Sequence, residues 1–155
     1  MSIATRAPAA HARSEFESSL LLAGLYVFAA YDLGLALFMA VAPHAFYKAL
    51  GPFGAYNEHY IRDTATFSAA LGVGLLVAVR RHSWRAPLLA VTAMQFALHS
   101  LNHLLDIAKA HPRWTGYFDF FSLAAATLLL AWLAWVALSA DAPAASDPVR
   151  KGGSA

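Results

Sequence analysis

Two short stretches hold most of the side chains able to do chemistry. The first is Gln95, His99, Asn102, His103 and Asp106, at offsets −4, 0, +3, +4 and +7 from His99. At 100° per residue these positions share an arc of about 100°, one face of a helix. Thr92 extends the line. The second stretch is His59, Arg62, Asp63 and Thr66, at offsets 0, +3, +4 and +7, the same geometry on another helix. Asp32 and Asp119 stand alone, each inside a long apolar run.

Imidazoles four residues apart on a helix can share a metal ion. Helical bundles build metal sites from facing helices in this way. The sequence therefore predicts a metal site with His59, His99, His103, Asp63 and Asp106 as ligands. Asp32, Arg62, Asn102, Asp119 and Gln95 would orient the imidazoles and balance charge. Zinc, iron or copper suits such a donor set. Three other readings compete. The same groups can form a polar network that only fixes how the helices pack, as in a non-enzymatic membrane subunit. They can line a pocket for a quinone, a lipid or another hydrophobic molecule, with Tyr26, Phe28, Tyr31, Phe96, Phe118 and Phe120 as walls. Or His59 with His99 or His103 can supply two axial ligands to a b-type haem, although the small residues that would make room lie at the other end of the spans. No nucleophile elbow, phosphate-binding loop or pair of catalytic carboxylates is present, so no catalytic residue is assigned and enzymatic activity is left open.

The elements that position these residues follow from hydropathy. Of 155 residues, 59% are hydrophobic and 13% charged. A soluble domain is about one quarter charged, and this chain has too little polar surface to cover itself in water. Four apolar runs are each long enough to cross a bilayer, which needs about 20 residues. They are predicted at about 19–42, 58–79, 84–108 and 114–138. Segments 1–17 and 139–155 read as disordered tails around a single membrane domain, 18–138. The first run is longer than the apolar part of a signal peptide and follows two glutamates, so it reads as a retained span. The connection from His44 to Asn57 is aromatic and fits the membrane interface. The expected fold is an all-α, up-down, four-helix membrane bundle in contact with lipid, able to form a homo-oligomer or join a larger complex. A net charge of +2 with basic residues scattered in loops offers nothing to nucleic acid. There are no cysteines, which excludes disulfide and thiol chemistry.

With four spans, both tails and the connection near Arg80 lie on one side. That side carries seven basic residues, Arg6, Arg13, Arg80, Arg81, Arg85, Arg150 and Lys151, against four on the other, Lys48, Arg62, Lys109 and Arg113. The positive-inside rule then places both termini in the cytoplasm, and the protein is expected in the plasma (inner) membrane. The histidines and carboxylates fall in the opposite, exoplasmic half, with Asp32 near the midplane. A charge at the bilayer centre costs roughly 3 kcal/mol or more, so these groups are expected to turn inward. Asn57-Glu58-His59-Tyr60-Ile61-Arg62-Asp63 and Leu98-His99-Ser100-Leu101-Asn102-His103 resemble small four-span bacterial membrane proteins loosely grouped as DoxX-like. The resemblance covers the helical core and implies, at most, a link to quinone-coupled redox chemistry.

Overall fold

The computed structural model describes residues 7–140, with side chains from residue 15 onward. Five helices follow one another: α1 (Ala7–Val41), α2 (Pro43–Ala49), α3 (Glu58–Arg80), α4 (Arg85–Asp106) and α5 (Arg113–Ala140). Single 3₁₀ turns at His82–Trp84 and Ile107–Lys109 lead into and out of α4. Four helical stretches are long and apolar enough to cross a membrane: Glu15–Val41, Glu58–Arg80, His82–Lys109 and Arg113–Ala140. The chain is thus a multi-pass membrane protein by the length and composition of its helices. α1 starts at Ala7, inside the segment expected to be a tail. The remainder of that segment, and 141–155, lie outside the described residues.

Local chemistry sets the helix ends. Pro43 cannot continue α1; it forces Ala42 out of helical geometry and then opens α2 as its first residue. Asn57 caps α3 by accepting the Tyr60 N–H at 3.2 Å. One turn on, the Arg62 guanidinium pairs with Glu58 at 2.7 Å. At the far end of α3, Arg85 donates to the Ala78 and Val79 carbonyls at 3.2 and 3.0 Å. Those carbonyls would otherwise lack partners at a helix end, so the first residue of α4 closes the last turn of α3.

Packing divides the bundle into two tight pairs. α1 lies along α3 and α4 along α5, while α3 meets α4, and α1 meets α5, over shorter stretches. Gly72 is what lets α3 approach α1: a Cβ there would sit 2.7 Å from Leu33 Cγ and 3.1 Å from the Ala29 carbonyl oxygen. The core fills the half that holds the start of α1 and the end of α5. Leu25, Leu75, Leu89 and Leu130 are wholly buried there. In the other half α1 and α5 part, and no α5 residue in the stretch 117–129 is buried. The loops close that end. Phe53 and Ala110 form an antiparallel bridge between the α2–α3 and α4–α5 connections. The Tyr47 hydroxyl donates to the Gly54 carbonyl at 2.5 Å, and Gly54 takes the left-handed backbone (φ 66°) that glycine adopts without strain. Large apolar side chains such as Val27, Leu98, Phe121 and Leu128 point outward. That is a liability in water and the expected state against acyl chains.

Candidate functional site

α3 has two faces that its sequence leaves in competition. One carries His59, Arg62, Asp63 and Thr66. The other carries Ala65, Ser68, Gly72 and Leu75, and this is the buried one. Small residues win because they allow the close approach to α1. The polar face therefore turns out: His59 and Asp63 pair with each other at 3.4 Å, with side chains 80% and 62% exposed. They sit in the first turns of α3, at the level of the loops, where long polar groups reach the interface.

The stripe on α4 turns in. Gln95, His99, His103 and Asp106 are partly buried, and Asn102 sits at the rim. The His99 and His103 rings stack at 4.8 Å between centroids, and their Nε2 atoms are 3.0 Å apart. Gln95 Nε2 lies 3.5 Å from His99 Nδ1. On the opposite edge of His103, Nδ1 stands 3.8 Å from Asp119 Oδ2. That is beyond hydrogen-bond length. Both atoms are buried and neither has a hydrogen-bond partner among the described residues. Phe53, from the loop, sets its ring edge-on to His103 at 4.7 Å. Ser100, one turn below, anchors α4 to α5 by donating to the Phe120 carbonyl at 3.3 Å.

These groups form one wall of a cavity of about 570 Å³. Such a volume suits a drug-sized molecule. α1 contributes Val27, Phe28, Tyr31 and Leu35; α5 contributes Phe118, Asp119, Ser122, Leu123 and Ala126. The roof is Phe46, Leu50, Gly51 and Phe53, and α3 adds only Thr64. Phe96 meets Phe28 edge-on and Tyr31 at a tilt, each at 5.9 Å, which makes a continuous aromatic floor. The mouth lies between α1 and α5, where Val27 and Phe118 are more than 60% exposed on the outer surface. It therefore faces acyl chains sideways. A smaller groove of about 400 Å³ runs between α3 and α4, lined by Phe67, Val91, Met94, Gln95, Leu98, His99 and Asn102.

The structure does not bring the five expected metal ligands together. His59 and Asp63 are on the outer face of α3, and Asp106 pairs with Lys109 at 2.7 Å. No group of three or more His, Asp or Glu suited to a metal occurs among the described residues. His99 and His103 remain, two donors from one helix, short of the three or four protein ligands zinc takes. Haem fits no better: its axial imidazoles must come from opposite sides of the ring, whereas His99 and His103 stack on each other and His59 faces outward. Of the expected supporting residues, Asn102, Asp119 and Gln95 are at the cavity or groove. Arg62 is not, being paired with Glu58. Asp32 is buried in the interior face of α1, 3% exposed, and its Oδ2 has no hydrogen-bond partner among the described residues.

Of the expected aromatic walls, Phe28, Tyr31, Phe96 and Phe118 line the cavity, and Tyr26 and Phe120 do not. Sequence reasoning missed the roof, Phe46 and Phe53 above all. The aromatic content of the 44–57 connection was a visible signal, but nothing local shows that it folds back over the spans. Compared with known proteins, the chain matches no family model, no curated sequence and no solved structure.

Proposed function

We propose that this protein binds a neutral, hydroxyl- or carbonyl-bearing amphiphile drawn sideways from the bilayer. The observation that carries this reading is the pair of buried atoms His103 Nδ1 and Asp119 Oδ2, without hydrogen-bond partners among the described residues, in the polar wall of a mainly apolar cavity. An imidazole N–H donates and a carboxylate oxygen accepts. A small rotation of either side chain opens room for one ligand oxygen, which then accepts from His103 and, as a hydroxyl, donates to Asp119. Leaving such groups without partners costs about 1–3 kcal/mol each, which a ligand would recover. Phe28, Phe118, Leu123 and Ala126 then hold the apolar remainder, and the gap between α1 and α5 lets a tail extend into lipid.

Charge narrows the class. Among the described residues no Lys or Arg lines the cavity, and two aspartates do. A phosphate or carboxylate head would meet like charge at low dielectric. A prenylated phenol or quinol, or a hydroxylated lipid, meets none. The quinone link implied by the DoxX-like resemblance falls within this class. Binding and presentation of a lipid-soluble molecule, in the inner membrane with both termini cytoplasmic, is the role proposed.

The test is chemical extraction. Protein purified in mild detergent is extracted with organic solvent, and the extract is analysed by mass spectrometry alongside elemental analysis of the protein. Near one equivalent of a neutral hydroxyl or carbonyl lipid is expected. It should fall at least tenfold in Asp119→Leu and in Ala126→Trp, which fills the tail region, at unchanged thermal midpoint. Extracts holding only phospholipid, equal in all variants, would refute the reading. A stoichiometric transition metal lost with His99 and His103 would restore the metal site in its place.

A further inference from the structure

The polar wall is continuous beyond the ligand-facing pair. Asp119, His103, His99 and Gln95 follow one another at 3.8, 3.0 and 3.5 Å. One end, Asp119, is in the main cavity; the other, Gln95, is in the α3–α4 groove, and His99 borders both. We propose that these four side chains form a proton relay through α4, linking the cavity to the groove. The inference shares His103 and Asp119 with the ligand reading but does not require a ligand.

Hydrogen-bond bookkeeping gives the relay its logic. The two Nε2 atoms face each other at 3.0 Å, so a single proton lies between them. A neutral imidazole carries one N–H and one bare nitrogen. His99 and His103 must therefore adopt opposite tautomers. In one polarity the Gln95 amide donates to His99 Nδ1, His99 Nε2–H donates to His103 Nε2, and His103 Nδ1–H points at the Asp119 carboxylate. In the other, every donor and acceptor is exchanged: His103 Nε2–H donates to His99 Nε2, and His99 Nδ1–H donates to the Gln95 amide oxygen. One proton, with a half-turn of the Gln95 amide, converts the first into the second. It binds His99 Nδ1 from the groove, the Nε2 proton passes to His103, and the Nδ1 proton of His103 passes to Asp119. Both imidazoles end neutral and Asp119 ends as the acid, able to protonate or donate to an oxygen in the cavity. The 3.8 Å step closes by a small rotation of either side chain.

Lys109 occupies Asp106. Tyr31, across the cavity on α1, is within electrostatic reach of both Asp119 and Asp32. α3 presents Thr64 and Phe67 to the two openings, neither of them charged.

The experiment reads tautomers directly. The full chain, labelled with ¹⁵N-histidine and held in lipid nanodiscs without added ligand, is measured by NMR, where protonated and bare imidazole nitrogens resonate far apart. Histidine assignments come from His99→Gln and His103→Gln. Opposite tautomers at His99 and His103 are expected. Asp119→Leu should move the His99 nitrogens, two links away, toward the reversed polarity, and Gln95→Leu should move those of His103. Identical tautomers, or changes confined to the nearest histidine in both variants, would overturn the relay. Because no ligand enters this measurement, its failure is separate from a failure of the extraction test.

Discussion

Asp32 shows how context sets the worth of one side chain. It sits in the stripe Leu25, Phe28, Ala29, Asp32, Ala36 and Met39, which is otherwise apolar and buried. The Asp32 Oδ2 atom has no hydrogen-bond partner among the described residues. A carboxyl in such a place costs about 3 kcal/mol on insertion scales, and replacing buried charges by apolar residues of similar volume is often stabilising. Asp32→Leu should therefore raise the thermal midpoint of the detergent-purified protein, by about 3 °C or more. A lower midpoint would mean that the carboxyl holds a stabilising contact. His103 and Asp119 differ from Asp32 in lining a cavity, so a small side-chain rotation can turn their unmet bonds toward a visitor.

At the scale of helices, close approach decides which face is inside. Gly72→Ala places a methyl against the Ala29 carbonyl, which cannot give way without moving α1. The expected cost is about 1–3 kcal/mol, read as a lower thermal midpoint. Gly74→Ala is the control. Its Cβ would meet only the flexible end of Leu88, at 3.2 Å, and helix propensity favours alanine by about 1 kcal/mol, so stability should hold or rise. The same contrast explains what could be read from the chain alone. Apolar run lengths located the four spans, because bilayer thickness fixes them. The stripe of α4 was legible from its spacing, because five polar side chains on one helix face are costly against lipid. On α3 periodicity marked two opposite faces equally well, and only the contact of Gly72 with α1 selects Ala65, Ser68 and Leu75 over His59 and Asp63. The bridge from Phe53 to Ala110, which holds the roof in place, joins partners far apart in sequence, and no local pattern records such a contact.

For the molecule as a whole, the basic residues predict its sense of insertion. A fluorescent protein fused at the C-terminus should fluoresce, which requires the cytoplasm, while alkaline phosphatase fused at the same point should stay inactive. The reverse pair of results would place the cavity half on the cytoplasmic side. Whichever leaflet it occupies, the opening between α1 and α5 has a thermodynamic consequence. A molecule entering there never crosses water, so the quantity governing occupancy is its mole fraction among the lipids rather than its aqueous molarity. Diluting the sample with buffer should leave occupancy unchanged, whereas diluting the host membrane with added phospholipid or detergent should empty the site.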